Sequence, residues 1–163
     1  MHVIAYIGLG SNLNHPMKQI QIALEHIKQL PKTRLLNLSS LYETKPIGPQ
    51  NQPDFINQVV AIKTTLTALA LLKALKSIEN TMGRIHLEKW GPRIIDCDIL
   101  LYGDAVINSD MLTVPHAGLT KRAFVLYLLK EIAPDLVLPS GQTVQSLLQR
   151  CPKVGLKQVE CIV

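Results

Sequence analysis

The chain has 163 residues, 47% of them hydrophobic and 18% charged, with a formal net charge of +5. That length fits one domain with one substantial core, the composition excludes disorder, and the positive balance suits an anionic partner such as a nucleotide, a nucleic acid or an acidic membrane surface. Cys97, Cys151 and Cys161 lack CxxC spacing, which argues against a disulfide framework or zinc site, and no apolar stretch is long enough to span a bilayer.

Residues 3–7 are apolar and read as a first strand, ended by Gly8-Leu9-Gly10-Ser11-Asn12; with no basic segment ahead of them they do not read as a signal peptide, and a cytoplasmic protein is expected. Pro16 suits the first turn of a helix striped by Ile20, Leu24 and Ile27, which Pro31 stops. Residues 33–42 read as a second strand, 45–53 as a Pro-rich loop and 55–64 as a third strand. Thr67 is a candidate N-cap for a helix running to about Met82, with Gly83 in the left-handed position beyond it. A charged loop at 84–92 leads into a fourth strand at 94–101, and Gly103-Asp104 turns into a short strand at 105–107.

The order β-α-β-β-α-β predicts an α+β, ferredoxin-like core with two helices covering one face of an antiparallel sheet. Helices at 121–132 and 144–149 would extend it, and 151–163 reads as a loosely attached tail or a short edge strand. Residues 1–163 are expected to form a single catalytic domain.

The sharpest chemical signal is Ile94-Ile95-Asp96-Cys97-Asp98-Ile99-Leu100-Leu101. On a strand Asp96 and Asp98 share one face, while Ile95, Cys97, Ile99 and Leu101 are expected to share the other. Adjacent carboxylates on an apolar strand repel each other and are costly to desolvate, and a hard divalent ion bridging them to phosphate oxygens removes that cost. An isolated D-x-D is more often the wet face of an edge strand. Here Arg84, Lys89 and Arg93 lie just upstream, with His116, Lys121 and Arg122 downstream, the equipment of a polyphosphate site. No GxxxxGK[ST] loop is present, and Leu13 stands where a GxGxxG fingerprint needs its third glycine, so the tight-turn reading of Gly8 and Gly10 is preferred. Phe55 and Phe124 read first as core, or as two rings around a flat heterocycle whose edge Asn57 bonds.

Three blocks in order carry a family resemblance: Gly48-Pro49-Gln50-x-Gln52-Pro53-Asp54-Phe55-x-Asn57, then 91–101 around Asp96 and Asp98, then Leu112-Thr113-Val114-Pro115-His116 with Arg122-x-Phe124. Together with the start at Tyr6-Ile7-Gly8-Leu9-Gly10-Ser11-Asn12-Leu13, they make the chain similar to the 6-hydroxymethyl-7,8-dihydropterin pyrophosphokinases of the folate pathway, from 6 to about 135. The resemblance implies transfer of pyrophosphate from ATP to the pterin hydroxymethyl group, releasing AMP. It implies two Mg2+ ions on Asp96 and Asp98, with Arg84 and Arg93 as further catalytic residues. Lys76, Glu79, Arg84, Arg93, Ile99, Leu112, Thr113, His116 and Arg122 would bind ATP. Thr44, Ile47, Phe55, Asn57, Trp90 and Phe124 would bind the pterin. His86, Met111 and Ala117 depart from the commoner family pattern, and none of them is an expected metal ligand or stacking ring.

The implied partners are these small molecules, with neither nucleic acid nor membrane, for a monomer. An RNA-binding sheet would need surface aromatics, and the chain has seven aromatic residues in all, two Phe, one Trp and four Tyr. A phosphohydrolase using the same two acids would consume ATP equally fast without pterin.

Overall fold

Strand β1 (Val3–Ser11) lies between two antiparallel partners, β4 (Phe55–Thr64) and β5 (Asp96–Tyr102). The computed structural model describes residues 1–45, 51–83, 93–119, 123–150 and 157–159. The expected stop after Ile7 does not occur. Gly8 pairs with Val59 and Asp98, and Gly10 with Asn57 and Asp96, so both glycines are strand residues. Ladders on both sides supply the order that glycine lacks by propensity.

The expected strand at 33–42 is two strands, β2 (Thr33–Leu38) and β3 (Leu41–Thr44), both pairing with β4. Ser39 interrupts them. Its N–H donates to the Val59 carbonyl, its Oγ accepts the Val59 N–H, and its carbonyl accepts from the Gln58 amide. A side chain thus replaces one rung, and the chain bends without leaving buried backbone groups unpaired. The sheet runs β5-β1-β4-β3, ends at β8 (Lys157–Val159), which pairs with β3, and is antiparallel at every described pairing.

Helices α1 (Pro16–Lys28) and α2 (Ala68–Thr81) cover one face. The Thr67 Oγ1 accepts the Ala70 N–H at 3.1 Å, and Gly83 has φ +86°, as the cap pattern predicts. Ile20, Ile27, Leu71 and Leu75 meet Ile7, Ile62 and Ile99 in the core beneath them. On the opposite face, α3 (Ala123–Ile132) and α4 (Val144–Leu148) bury Leu126, Leu129 and Val144 against Val59 and Leu101. A small ribbon of β6 (Ile107–Asn108) and β7 (Thr113–Val114) joins β5 to α3; the expected strand at 105–107 begins only at Ile107.

A bulge corrects the alternation expected on β5. Between Tyr6 and Ile7 the partner jumps from Leu101 to Ile99, leaving Leu100 as the extra residue. Ile95, Cys97 and Ile99 stay in the α1/α2 core, but Leu101 turns to the α3/α4 side.

Glu131 on α3 fastens that helix to the β2–β3 break, accepting the Ser40 N–H at 2.6 Å and the Tyr42 hydroxyl at 2.8 Å. Burial alone would raise the Glu131 carboxyl, but the hydrogen bonds from Ser40 and Tyr42 outweigh it and hold it below its ordinary 4.5. Burial, then the bond to Glu131 and its charge, push Tyr42 up to about 12. A depressed carboxylate stabilises the fold above its unfolded value and ceases to as pH falls through the folded one; a raised phenol stabilises below 10 and ceases to as pH rises through about 12. Unfolding measured against pH should therefore show an acid limb below 4.5 that is shallower in Glu131→Gln. An identical acid limb in that variant would refute the clamp.

Candidate active site

Residues paired across neighbouring strands share a sheet face. The register aligns Tyr42, Asn57, Gly10 and Asp96 in one row, Val59, Gly8 and Asp98 in the next, and Thr44 with Phe55 at the near end. All lie on the α3/α4 side, since Val59 and Tyr42 pack with that cluster, as does Phe124 from the start of α3. The face therefore gathers Thr44, Phe55, Asn57, Asp96, Asp98 and Phe124 from four separate stretches of sequence. Two strand spacings, about 10 Å, separate Asn57 from Asp96 across glycine backbone. Asp96 is half-buried and Asp98 exposed.

Asn57 and Thr44 are both buried, and the Asn57 Nδ2 donates to the Thr44 Oγ1 at 2.6 Å. Beside the acids, the Arg93 Nε lies 3.9 Å from the Asp96 Oδ1, with only 11% of the Arg93 side chain exposed. The Arg93 Nη1 is buried with no hydrogen-bond partner among the described residues. A guanidinium nitrogen left so is expensive, and an anionic oxygen is its natural complement.

Asn12, expected at the end of a strand and in the opening stretch of the family resemblance but given no site role there, holds the site's two sides together. It is 1% exposed. Its Nδ2 donates to the Gln52 Oε1 and to the Pro53 carbonyl, both at 2.9 Å, its Oδ1 accepts the Arg93 N–H at 2.8 Å, and its own N–H donates to the Arg93 carbonyl. One amide thus sets the backbone beside the arginine and the backbone entering Phe55. Asn12→Asp keeps the shape and the Arg93 bond but turns an anionic oxygen toward the Gln52 and Pro53 oxygens. We expect a loss of about 2–3 kcal/mol by chemical denaturation. A wild-type midpoint would show that the bridge does not matter.

Glu79 reaches from α2 to the sheet edge, where its carboxylate accepts the Cys97 N–H at 2.8 Å, between the two acids; the side chain is buried. Of the other residues expected at a nucleotide, Lys76 and Thr113 are exposed, Leu112 and His116 half-buried, and the Ile99 side chain is packed in the α1/α2 core. The segment after β7 is pinned by the His116 N–H donating to the Leu100 carbonyl, and the His116 Nδ1 accepts the Gly118 N–H at 2.9 Å, which leaves Nε2 to carry the proton of the neutral ring. Ile47, Arg84, Trp90 and Arg122 lie outside the described residues, as do Lys89, Lys121, Cys151 and Cys161. Among the described residues no three His, Cys, Asp or Glu side chains cluster as a metal cage, and no helix is long and apolar enough to cross a membrane.

Known proteins resemble this chain closely. It is 49% identical to the 2-amino-4-hydroxy-6-hydroxymethyldihydropteridine pyrophosphokinase of Haemophilus influenzae over 148 residues, covering 91% of this chain and 92% of that protein. The Pseudomonas aeruginosa protein of the same name is 47% identical over 94% of this chain and 95% of its own length. A solved Plasmodium falciparum HPPK-DHPS chain shares the fold, with a TM-score of 0.78 at 18% identity over 97% of this chain; this chain spans 49% of its length. These matches make the chain a pyrophosphokinase, a transferase rather than a binding module. Residues 6–134 match the family model 7,8-dihydro-6-hydroxymethylpterin-pyrophosphokinase, and the chain belongs to that family.

Proposed function

We propose that this chain transfers the pyrophosphoryl group of ATP to the hydroxymethyl oxygen of 6-hydroxymethyl-7,8-dihydropterin. The observation that carries the reading is the strand register, which sets Asn57, Gly10 and Asp96 in one row and Asp98 in the next, an amide and a carboxylate pair on one sheet face. The sheet order β5-β1-β4-β2/β3, with α1 and α2 as crossovers, supports a ferredoxin-like core. We read residues 1–163 as one catalytic unit.

Phe55 and Phe124 flank the pterin ring, Asn57 and the backbone around Thr44 and Ile47 bond its polar edge, and Trp90 is a further pterin-binding residue. Lys76, Glu79, Ile99, Leu112 and Thr113 border the adenosine. Arg84, Arg93, His116 and Arg122 hold the phosphate oxygens. Asp96 and Asp98 suit magnesium, which takes one or two carboxylates and completes its shell from phosphate and water, so no larger protein cage is needed. Asp96 and Asp98 would hold two Mg2+ ions, which would supply charge neutralisation of the triphosphate. In the reaction the pterin hydroxyl oxygen forms a bond to the β-phosphorus and its proton is released, the bond from that phosphorus to the α–β bridging oxygen breaks, and AMP leaves with the electron pair. What the protein supplies is placement and charge: the aromatic walls and Asn57 fix the nucleophile, and the half-buried Arg93 fixes the phosphates in line with it.

The test is AMP formation from ATP and Mg2+ with and without the pterin. AMP and pterin diphosphate should appear in equal amounts, and only with the acceptor present. Equal ATP consumption in its absence would identify a phosphohydrolase instead.

A further inference from the structure

Glu79 stands where local physics disfavours it. It lies in the last turn of α2, at the negative end of the helix dipole, and no basic residue shares that turn. It is also 4% exposed, and desolvating a carboxylate is costly. In return its Oε2 accepts the Cys97 N–H at 2.8 Å. A backbone N–H can only donate, and a carboxylate accepts it more strongly than a neutral oxygen does. The bond meets a weak point of the sheet. Among the described residues β5 is outermost, with β1 alone laddered to it in that sheet. In an antiparallel ladder every second residue turns its N–H away from the partner strand, and Cys97, whose N–H goes to α2, is such a residue. Downstream the register breaks at the Leu100 bulge, so the regular run is short, Asp96 to Ile99. The Cys97 side chain is sunk in the α1/α2 core, and the two aspartates flank it on the opposite face.

We propose that Glu79 is a positioning residue for the carboxylate pair. By holding the Cys97 N–H it fixes the backbone from which Asp96 and Asp98 both project, and so the separation at which they receive a divalent cation. Without that bond the outer side of β5 is free to twist, and the two carboxylates lose their common alignment. The inference rests on the metal-binding reading of Asp96 and Asp98 above. It gives Glu79 a task apart from bordering the adenosine. An adenosine contact acts on nucleotide binding with or without metal, whereas this task acts only through the metal.

The experiment follows Mn2+ binding by electron paramagnetic resonance with a non-hydrolysable ATP analogue present, and by calorimetry the binding of the same analogue without metal. Glu79→Met, similar in length but without an acceptor, should weaken Mn2+ binding by about tenfold to a hundredfold and lower kcat in step. Its affinity for the metal-free analogue should be little changed. Glu79→Gln keeps an acceptor oxygen at the same reach and should recover most of the Mn2+ affinity. Amide hydrogen exchange at Cys97 should quicken in Glu79→Met and stay slow in Glu79→Gln. If Glu79→Met does not fold, Glu79→Asp, which withdraws the acceptor by one methylene, takes its place with the same expectations. Wild-type Mn2+ affinity in that folded variant would overturn the inference. So would a Glu79→Gln protein as weak as Glu79→Met, or an equal loss of the metal-free analogue, which would mark a nucleotide contact or general damage. Asp98→Ala, measured alongside, keeps the two readings apart. If it loses Mn2+ while Glu79→Met does not, this inference alone fails. If it too binds Mn2+ as wild type does, the carboxylate-pair reading fails with it.

Discussion

Asp98→Ala should reduce pyrophosphoryl transfer by about a thousandfold or more while leaving the fold intact. The two halves of that expectation come from different features of the site. Asp98 is exposed on β5, so its removal opens no cavity, and it relieves repulsion from Asp96 on the same face. Stability should hold or rise slightly. Function should collapse, because a magnesium–nucleotide complex then meets one carboxylate where the geometry provides two. Asp96→Ala should be as inactive but less benign, since Asp96 is half-buried and lies 3.9 Å from the Arg93 Nε. Binding of a manganese–nucleotide complex, followed by the metal's paramagnetic signal, separates metal loss from other defects. Normal turnover by a folded Asp98→Ala protein would end the carboxylate-pair mechanism.

Much of this architecture was legible because it is local. The strand at 55–64 and the helix after Thr67 follow from apolar period, a capping hydroxyl and a glycine stop, and both stand where the sequence placed them. Gly8 and Gly10 were misread because a strand's fate depends on its neighbours. Read alone, a G-x-G following an apolar run is a turn; laddered between β4 and β5 it is the middle of a sheet. The split at Ser39 and the bulge at Leu100 have the same origin, since each is defined by pairing with a distant strand.

The site divides along a similar line. Asp96 and Asp98 announce themselves by the cost of two adjacent charges, and Phe55 and Asn57 by alternation on one strand. Asn12 gave no such signal, because its role lies in bonds to residues 40 and 81 positions away. An amide closing the Gly8-Leu9-Gly10-Ser11-Asn12 run, within the opening stretch of the resemblance, was its sequence signature. Glu79 is a comparable case: on its helix it is one acid among polar residues, and only the sheet edge shows that its carboxylate holds the backbone between the two aspartates. Function-bearing groups that act through backbone are the ones a sequence hides.

Arg93 should show stability and activity moving in opposite directions. Its side chain is 11% exposed, its contact with Asp96 is a loose 3.9 Å, and its Nη1 is buried without an acceptor among the described residues. Such a group costs about 1–3 kcal/mol in the free protein, more when charged. Replacement by an apolar side chain of similar length removes that cost, as replacing buried ions often does. Arg93→Met should therefore be as stable as wild type or about 1 kcal/mol more stable by chemical denaturation. Its kcat should fall by about a hundredfold to a thousandfold, because the same nitrogen would otherwise meet phosphate charge in a water-poor site. Arg93→Lys should recover only part of the rate, since an ammonium carries the charge without the planar fork. A group that weakens the resting protein and strengthens the reacting complex is retained for the second effect. Were Arg93→Met unstable and fully active, the residue would be a structural strut and the phosphates would have to be held by others.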